Sequence, residues 1–341
     1  MSRSLLVGWL ALPWFVTAVL AMMPPEKIKP MRTFPSLPRP VSSFGAAVCD
    51  GWLYVYGGHV GKPHEYSTEA VVGTFHRLNL ARPADWEPLP GGPALQGLAL
   101  VAHGGKLYRI GGMQPRNAPG EPADNHSLRS FACFDPAQGR WQDLPDLPAG
   151  RSSHDATIVG DLLVVIGGWR MGGVDAEPQW HDTALICDLK QTPGKWEAVP
   201  QPFQRRALTT ATFQNRVYVL AGLGAEGTER TVNVFDPVQR TWTLGPELPG
   251  PRMNGFAPAA CVAGDRLYAN PSNGKVYVLA ADGSAWQEVG RIPTPRLVHR
   301  LVPLGDDLLL CLGGSTKAGG VGQVETVEWS SQPVRAADGG K

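Results

Sequence analysis

An all-β fold made of six repeated four-stranded units is what the sequence predicts, and three observations carry that prediction. Short apolar runs end on glycine pairs: GDLLVVIGG (160–168) has partners in DGWLYVYGG (50–58), GGKLYRIGG (104–112), QNRVYVLAG (214–222) and GDDLLLCLGG (305–314), with a degenerate copy, GDRLYANPS, at 264–272. A tryptophan followed by proline recurs downstream of these runs, in WEPLP (86–90), WQDLPDLP (141–148), WEAVP (196–200), WTLGPELP (242–249) and WQEVGRIP (286–293). Between run and tryptophan lies a β-rich segment that often closes on Asp-Pro, as in SFACFDP (130–136) and VNVFDP (232–237). Glycine and proline, 41 and 32 of 341 residues, cut the apolar runs at strand length. No long segment keeps a helical period.

Each unit then reads in order. Its first strand follows a Pro-x-x-Arg or similar turn, its second enters the glycines, its third is the Asp-Pro segment and its fourth carries the tryptophan. Four antiparallel strands recurring about every 50 residues are the signature of a β-propeller blade. A single such sheet leaves both faces wet. Radial packing buries them, and the tryptophan is a large apolar group suited to the gap between neighbours. The glycine pair falls where the strand bends near the axis, where a Cβ clashes or φ > 0 is needed.

Closure is also legible. The sixth unit runs from Arg296 through VETVEW (324–329) and lacks a tryptophan strand of its own, whereas MRTFPSLP (31–38) aligns with WQDLPDLP. Residues 31–38 are therefore expected to supply the outer strand of the last blade. The domain reading is a signal peptide or membrane anchor plus linker over 1–30, a six-bladed propeller over 31–331 and a disordered tail over 332–341.

The first segment carries Arg3 and then no charge until Glu26. Its apolar stretch, residues 5–23, approaches the roughly 20 residues of a spanning helix. Val19-Leu20-Ala21 offers the small residues of a signal-peptidase site, and Pro13 weakens a permanent span. A cleaved signal is favoured over a tether through 5–23, and either exports the chain to the periplasm, the cell exterior or an outward-facing membrane surface. Cys49, Cys133, Cys187, Cys261 and Cys311 are odd in number, lack CxxC spacing and mostly sit in apolar runs, so they read as small buried hydrophobes with at most one cross-link. Lysine plus arginine (31) balances aspartate plus glutamate (30), and no basic run argues for nucleic acid.

With the double glycine, the aromatic of the following strand and the spaced tryptophan on the page, the sequence resembles the kelch repeat family over about residues 31–331. Unit four departs with Ala221-Gly222, unit five has no glycine pair and unit six no tryptophan. The resemblance implies a binding platform. A few kelch propellers are enzymes, among them radical-copper galactose oxidases and sialic acid mutarotases. The fold therefore does not choose between these roles.

Candidate sites follow from the residues themselves. GLGAEG (222–227) matches a dinucleotide fingerprint, but a strand and not a helix follows it. The histidines are scattered and show no metal-ligand spacing, so neither metal nor cofactor is expected. Arg151, Arg205, Arg252 and Arg296 end similar proline turns in blades three to six, with His154 and His299 three residues after their arginine. Such a column either forms a cationic mouth that grips carboxylates or caps backbone carbonyls at a blade edge. The loops after the glycines are long in blades one to three (59–69, 113–126 and 169–182) and short elsewhere. Loops on rigid scaffolds tend to carry recognition. Tyr66, Arg116, Trp169, Arg170, Trp180 and His181 are their candidate contacts for a sugar or protein.

The functional expectation is an exported, monomeric binding module for a glycan or protein on its loop-rich face. The alternative is a sugar mutarotase resembling N-acetylneuraminate epimerase, with Asp175, Glu177 and Glu226 as acid/base candidates by location alone.

Overall fold

The computed structural model describes residues 33–191, 193–306 and 308–330. The signal or anchor segment, Met31 and the C-terminal tail lie outside the described residues. Apart from a single 3-10 turn at Arg252–Gly255, the described regular structure is all strand. It forms six antiparallel blade sheets in sequence order, each with its first strand innermost, and three two-stranded ribbons in the loops. The innermost strands are Gly45–Cys49, Ala99–His103, Asp155–Val159, Thr209–Phe213, Ala259–Ala263 and Arg300–Leu304. Each touches the next and the sixth touches the first, which closes a six-bladed β-propeller.

The core is distributed over the interfaces. One apolar cluster lies between each pair of neighbouring blades; that between blades two and three joins Ile110, Phe131 and Cys133 to Leu163, Val165 and Cys187. All five cysteines are buried and unbridged. The tryptophan–proline signature has a polar purpose as well as an apolar one. Trp141 Nε1 donates to Pro90 O of the preceding blade at 2.8 Å, Trp242 to Pro200 O at 2.9 Å and Trp286 to Pro246 O at 2.8 Å. Burying the indole thus leaves no orphaned donor at these positions. Trp196 packs edge-on against Phe131 instead, with centroids 5.1 Å apart.

The same bond recurs at the closure. Trp86 Nε1 donates to Pro35 O at 3.2 Å, so residues 33–38 stand where an outer strand stands elsewhere. Leu37 N donates to Gly322 O at 2.7 Å, and the Leu37 side chain joins the cluster between blades six and one. The segment lies at the predicted edge without a strand's paired register, leaving the sixth sheet with Arg300–Leu304, Leu308–Leu312 and Val324–Thr326. Beyond Val327 the chain crosses over, and Glu328–Trp329 adds a fifth strand to blade five at Gly290 and Arg291.

Around the axis runs a belt of left-handed residues at one equivalent position per blade: Ser43, Gly97, Ser153, Ala207, Ala257 and Val298, with φ from 46° to 59°. Ala257 N donates to Ala207 O, Ala207 to Ser153, Ser153 to Gly97, Gly97 to Ser43 and Ser43 to Val298, at 2.7 to 3.1 Å. These bonds join all six blades. The glycine pair answers the same crowding: Gly167 has φ 68°, and a Cβ there meets Arg205 O at 2.6 Å.

Candidate functional site

Just inside the belt, the axial channel narrows to a cavity of about 100 Å³ lined by residues of all six blades. Arg300 of blade six spans it. Its Nη1 donates to Asp155 Oδ1 of blade three at 3.1 Å, its Nε to Phe44 O at 3.0 Å and its Nη2 to Leu98 O at 3.4 Å. Asp155 Oδ2 accepts from Thr210 N at 2.7 Å and from the hydroxyls of Thr210 and Thr209 at 3.2 and 3.3 Å. Both charges are satisfied, and the pair bars the axis.

The arginine column is structural. Arg151 is buried and donates to Gly167 O and Thr183 O at 3.0 Å. Arg296 repeats this with Gly313 O and Gln323 O at 3.2 Å and pairs with Glu325. Arg205 donates to Thr231 O at 2.9 Å and to Asn233. These three guanidiniums cap carbonyls inside the blades and do not form a cationic mouth. Arg252 is not their equivalent. Counted from the belt, Gly255 fills that position, and Arg252 lies exposed three residues earlier, bound to Thr228 O and Glu226 O at 3.0 Å.

His154 and His299 are buried with them. Burial and the charge of Arg151 hold His154 well below its ordinary pKa. Burial and Arg296 bring His299 to about 3, and it meets Asn270 Oδ1 at 2.7 Å. His181 is held at about 4 by burial and then by Arg151, and its Nε2 contacts Gly150 O at 3.0 Å, a scaffold contact.

Outside the belt, the long loops of blades one to three are laced together. Thr68 N donates to Asn117 O at 3.0 Å, and Asn117 Nδ2 to Tyr66 O at 2.7 Å. Ser127 N donates to Met171 O at 2.9 Å, and Gly173 N to Asn125 O at 3.0 Å. In blade three, Trp169–Arg170 pairs with Gln179–Trp180 as a small ribbon, with the two indoles 5.7 Å apart. Arg170 and Arg116 are exposed on this face.

Sequence reasoning missed the residue on which these loops converge. Arg206 of blade four follows the column's Arg205, and its guanidinium lies 4.0 Å over the Trp169 ring. It is also electrostatically coupled to Tyr66 of blade one, whose phenol is pushed up by burial against the pull of Arg206. The signal was the doubled arginine: the corresponding residues of other blades are Ser42, Gln96, Ser152, Phe256 and Leu297. Of the sequence candidates, Trp169 meets Arg206 directly, Trp180 packs against Trp169, and Tyr66 lies within electrostatic reach of Arg206. Among the described residues no cluster of three or more potential ligands forms a metal site.

The fold and this site define a propeller whose axis is crossed by an ion pair and whose one face is built from long interlaced loops. The Kelch motif matches residues 95–148 and 204–249, and the chain is a kelch-repeat β-propeller. It is 24% identical over 226 residues to Kelch-like protein 35 of Mus musculus, covering 66% of this chain and 34% of the relative. It is 28% identical over 195 residues to Kelch-like protein 40 of the same organism, covering 57% and 28%. The chain thus spans about a third of the length of these relatives. It is 29% identical over 252 residues to N-(sulfonatooxy)prop-2-enimidothioate sulfolyase of Thlaspi arvense, covering 66% and 68%. The solved structure of YjhT matches with a TM-score of 0.69 at 14% identity, covering 87% of this chain and 99% of that one, a likeness of fold.

Proposed function

We propose that the loop face of blades one to four is the binding surface of this protein and that its partner is a protein. The observation that carries this is the run of contacts from Trp180 to Trp169 of blade three and on to Arg206 of blade four, with Tyr66 of blade one in electrostatic reach. Aromatic residues and arginine are the side chains in which binding energy concentrates. The Kelch-like relatives support a protein partner over a glycan, the other occupant that these flat rings suit. Trp180→Ala is expected to weaken partner capture about thirtyfold, the cost of losing an aromatic anchor, and Val238→Asp on the opposite face to leave it unchanged. The reverse ranking overturns this reading.

A second reading, a sugar isomerase of the mutarotase kind, is favoured by one pair: His126 Nε2 lies 2.7 Å from Asp124 Oδ1, half-buried on the same face. Such a pair suits proton transfer. NMR of anomeric exchange in N-acetylneuraminate tests it: acceleration that His126→Gln removes supports it, and exchange at the buffer rate sinks it. Export rests on the composition of residues 5–23. Mass spectrometry of the mature N-terminus is expected to find cleavage after Ala21, and an intact N-terminus in a soluble fraction contradicts export.

A further inference from the structure

Arg206 differs from the other inward-lying arginines. Arg151 and Arg205 share with it a buried Nε without an acceptor, but they donate through their terminal nitrogens, whereas the half-buried Arg206 side chain makes no hydrogen bond and no ion pair to any described residue. Its terminal nitrogens are not among the buried atoms. The terminal nitrogens are thus open to solvent and carry no partner among the described residues, so they are free to donate from a partly desolvated cation to an incoming acceptor. Among the described residues no carboxylate pairs with it: Asp155 is held by Arg300 and Asp124 by His126, and Glu229 lies 3.8 Å from Arg205.

We propose that Arg206 grips one carboxylate of the ligand, held against Trp169 and within reach of the Tyr66 hydroxyl. The inference rests on the loop face being the binding surface. Stacking on Trp169 fixes the plane of the fork and leaves its outer edge free for two parallel hydrogen bonds. The Tyr66 phenol, protonated at neutral pH like any ordinary tyrosine, is available as a further donor. One cation matches the single charge of a carboxylate better than the near-double charge of a phosphate monoester. The indole faces of Trp169 and Trp180 suit a flat or apolar group beside that charge.

The same carboxylate can come from an acidic side chain or an acidic sugar, and two probes separate them. A capped glutamyl peptide and methyl glucuronide are each titrated, beside their neutral methyl esters, into the full chain while the Trp169 indole N–H resonance is followed. At least one acid is expected to shift that resonance, with its ester about tenfold weaker or worse. Arg206→Gln is expected to weaken the acid by a similar factor, and Arg206→Lys by less. Response to the peptide alone assigns a protein ligand, and response to the glucuronide alone an acidic sugar. An acid that binds Arg206→Gln as it binds the parent, or no response to either acid at about 50 mM, a concentration at which even millimolar affinity saturates, overturns the proposal. Partner capture that survives Arg206→Gln but fails in Trp180→Ala overturns the carboxylate grip and leaves the loop face standing. An unchanged unfolding temperature for Arg206→Gln excludes misfolding as the cause.

Discussion

Replacing Asp155 by alanine tests the axial bar. Asp155 is buried, and its carboxylate holds Arg300 across the channel together with the backbone N–H of Thr210. Breaking a buried pair costs about 3–5 kcal/mol. Arg300 is a quarter exposed and keeps its bonds to Phe44 O and Leu98 O, which removes the upper part of that range. Thr210 N–H loses its acceptor, which sustains the lower part. The expected loss is about 3 kcal/mol, a fall in Tm of roughly 5 °C for a chain of this size. Urea unfolding and calorimetry measure it. A cycle with Arg300→Met is expected to show at least about 1.5 kcal/mol of coupling, because the double variant no longer strands either charge. A loss below about 0.5 kcal/mol, or simple additivity of the two variants, refutes the bar as a stabilising element.

Three further outcomes follow from the scaffold. His154, His181 and His299 have folded pKa values lowered below about 6.5, so the unfolded chain binds more protons in acid; stability is full above that pH and falls as pH drops from about 6.5 towards 4. The urea midpoint is expected to be lower at pH 5 than at pH 7, with His299→Gln flattening the slope; equal slopes reject the assignment. Ala221 sits at φ 58° where blades one, two, three and six place glycine, and Ala221→Gly is expected to gain about 0.5 kcal/mol, the relief of left-handed strain less the unfolded-state entropy of glycine. Lower stability shows that the buried methyl outweighs the strain. Trp86→Phe loses the bond to Pro35 and is expected to cost about 1 kcal/mol. A chain starting at Val41 also loses Phe34 and Leu37 and is expected to be less stable still; an unchanged unfolding temperature rejects the closure.

The blades were legible because one strand pattern recurs with its glycines and tryptophans. The indole–proline bond was not legible, since Trp196 shares the spacing and makes no such bond. The closing segment was readable by alignment, but not its loose pairing, nor the crossing of Glu328–Trp329 to blade five, since both depend on which edge is free in three dimensions. The arginine column showed its residue type and not its direction, because a guanidinium that caps carbonyls and one that awaits an anion read alike. Arg252 was misplaced because the 3-10 turn at Arg252–Gly255 displaces the proline turn by three residues, and only the left-handed belt fixes the register. Arg206 drew no notice in the sequence, since its partners Tyr66 and Trp169 belong to other blades.

The loop face itself is tested most directly by photo-crosslinking in the native host. A photoreactive residue replaces Val174, 59% exposed in the blade-three loop, or Val238, 81% exposed in the turn of blade four at the other end of the barrel of strands. The account predicts one discrete adduct from position 174 that Trp180→Ala diminishes, and none from position 238. An adduct from position 238 alone contradicts it.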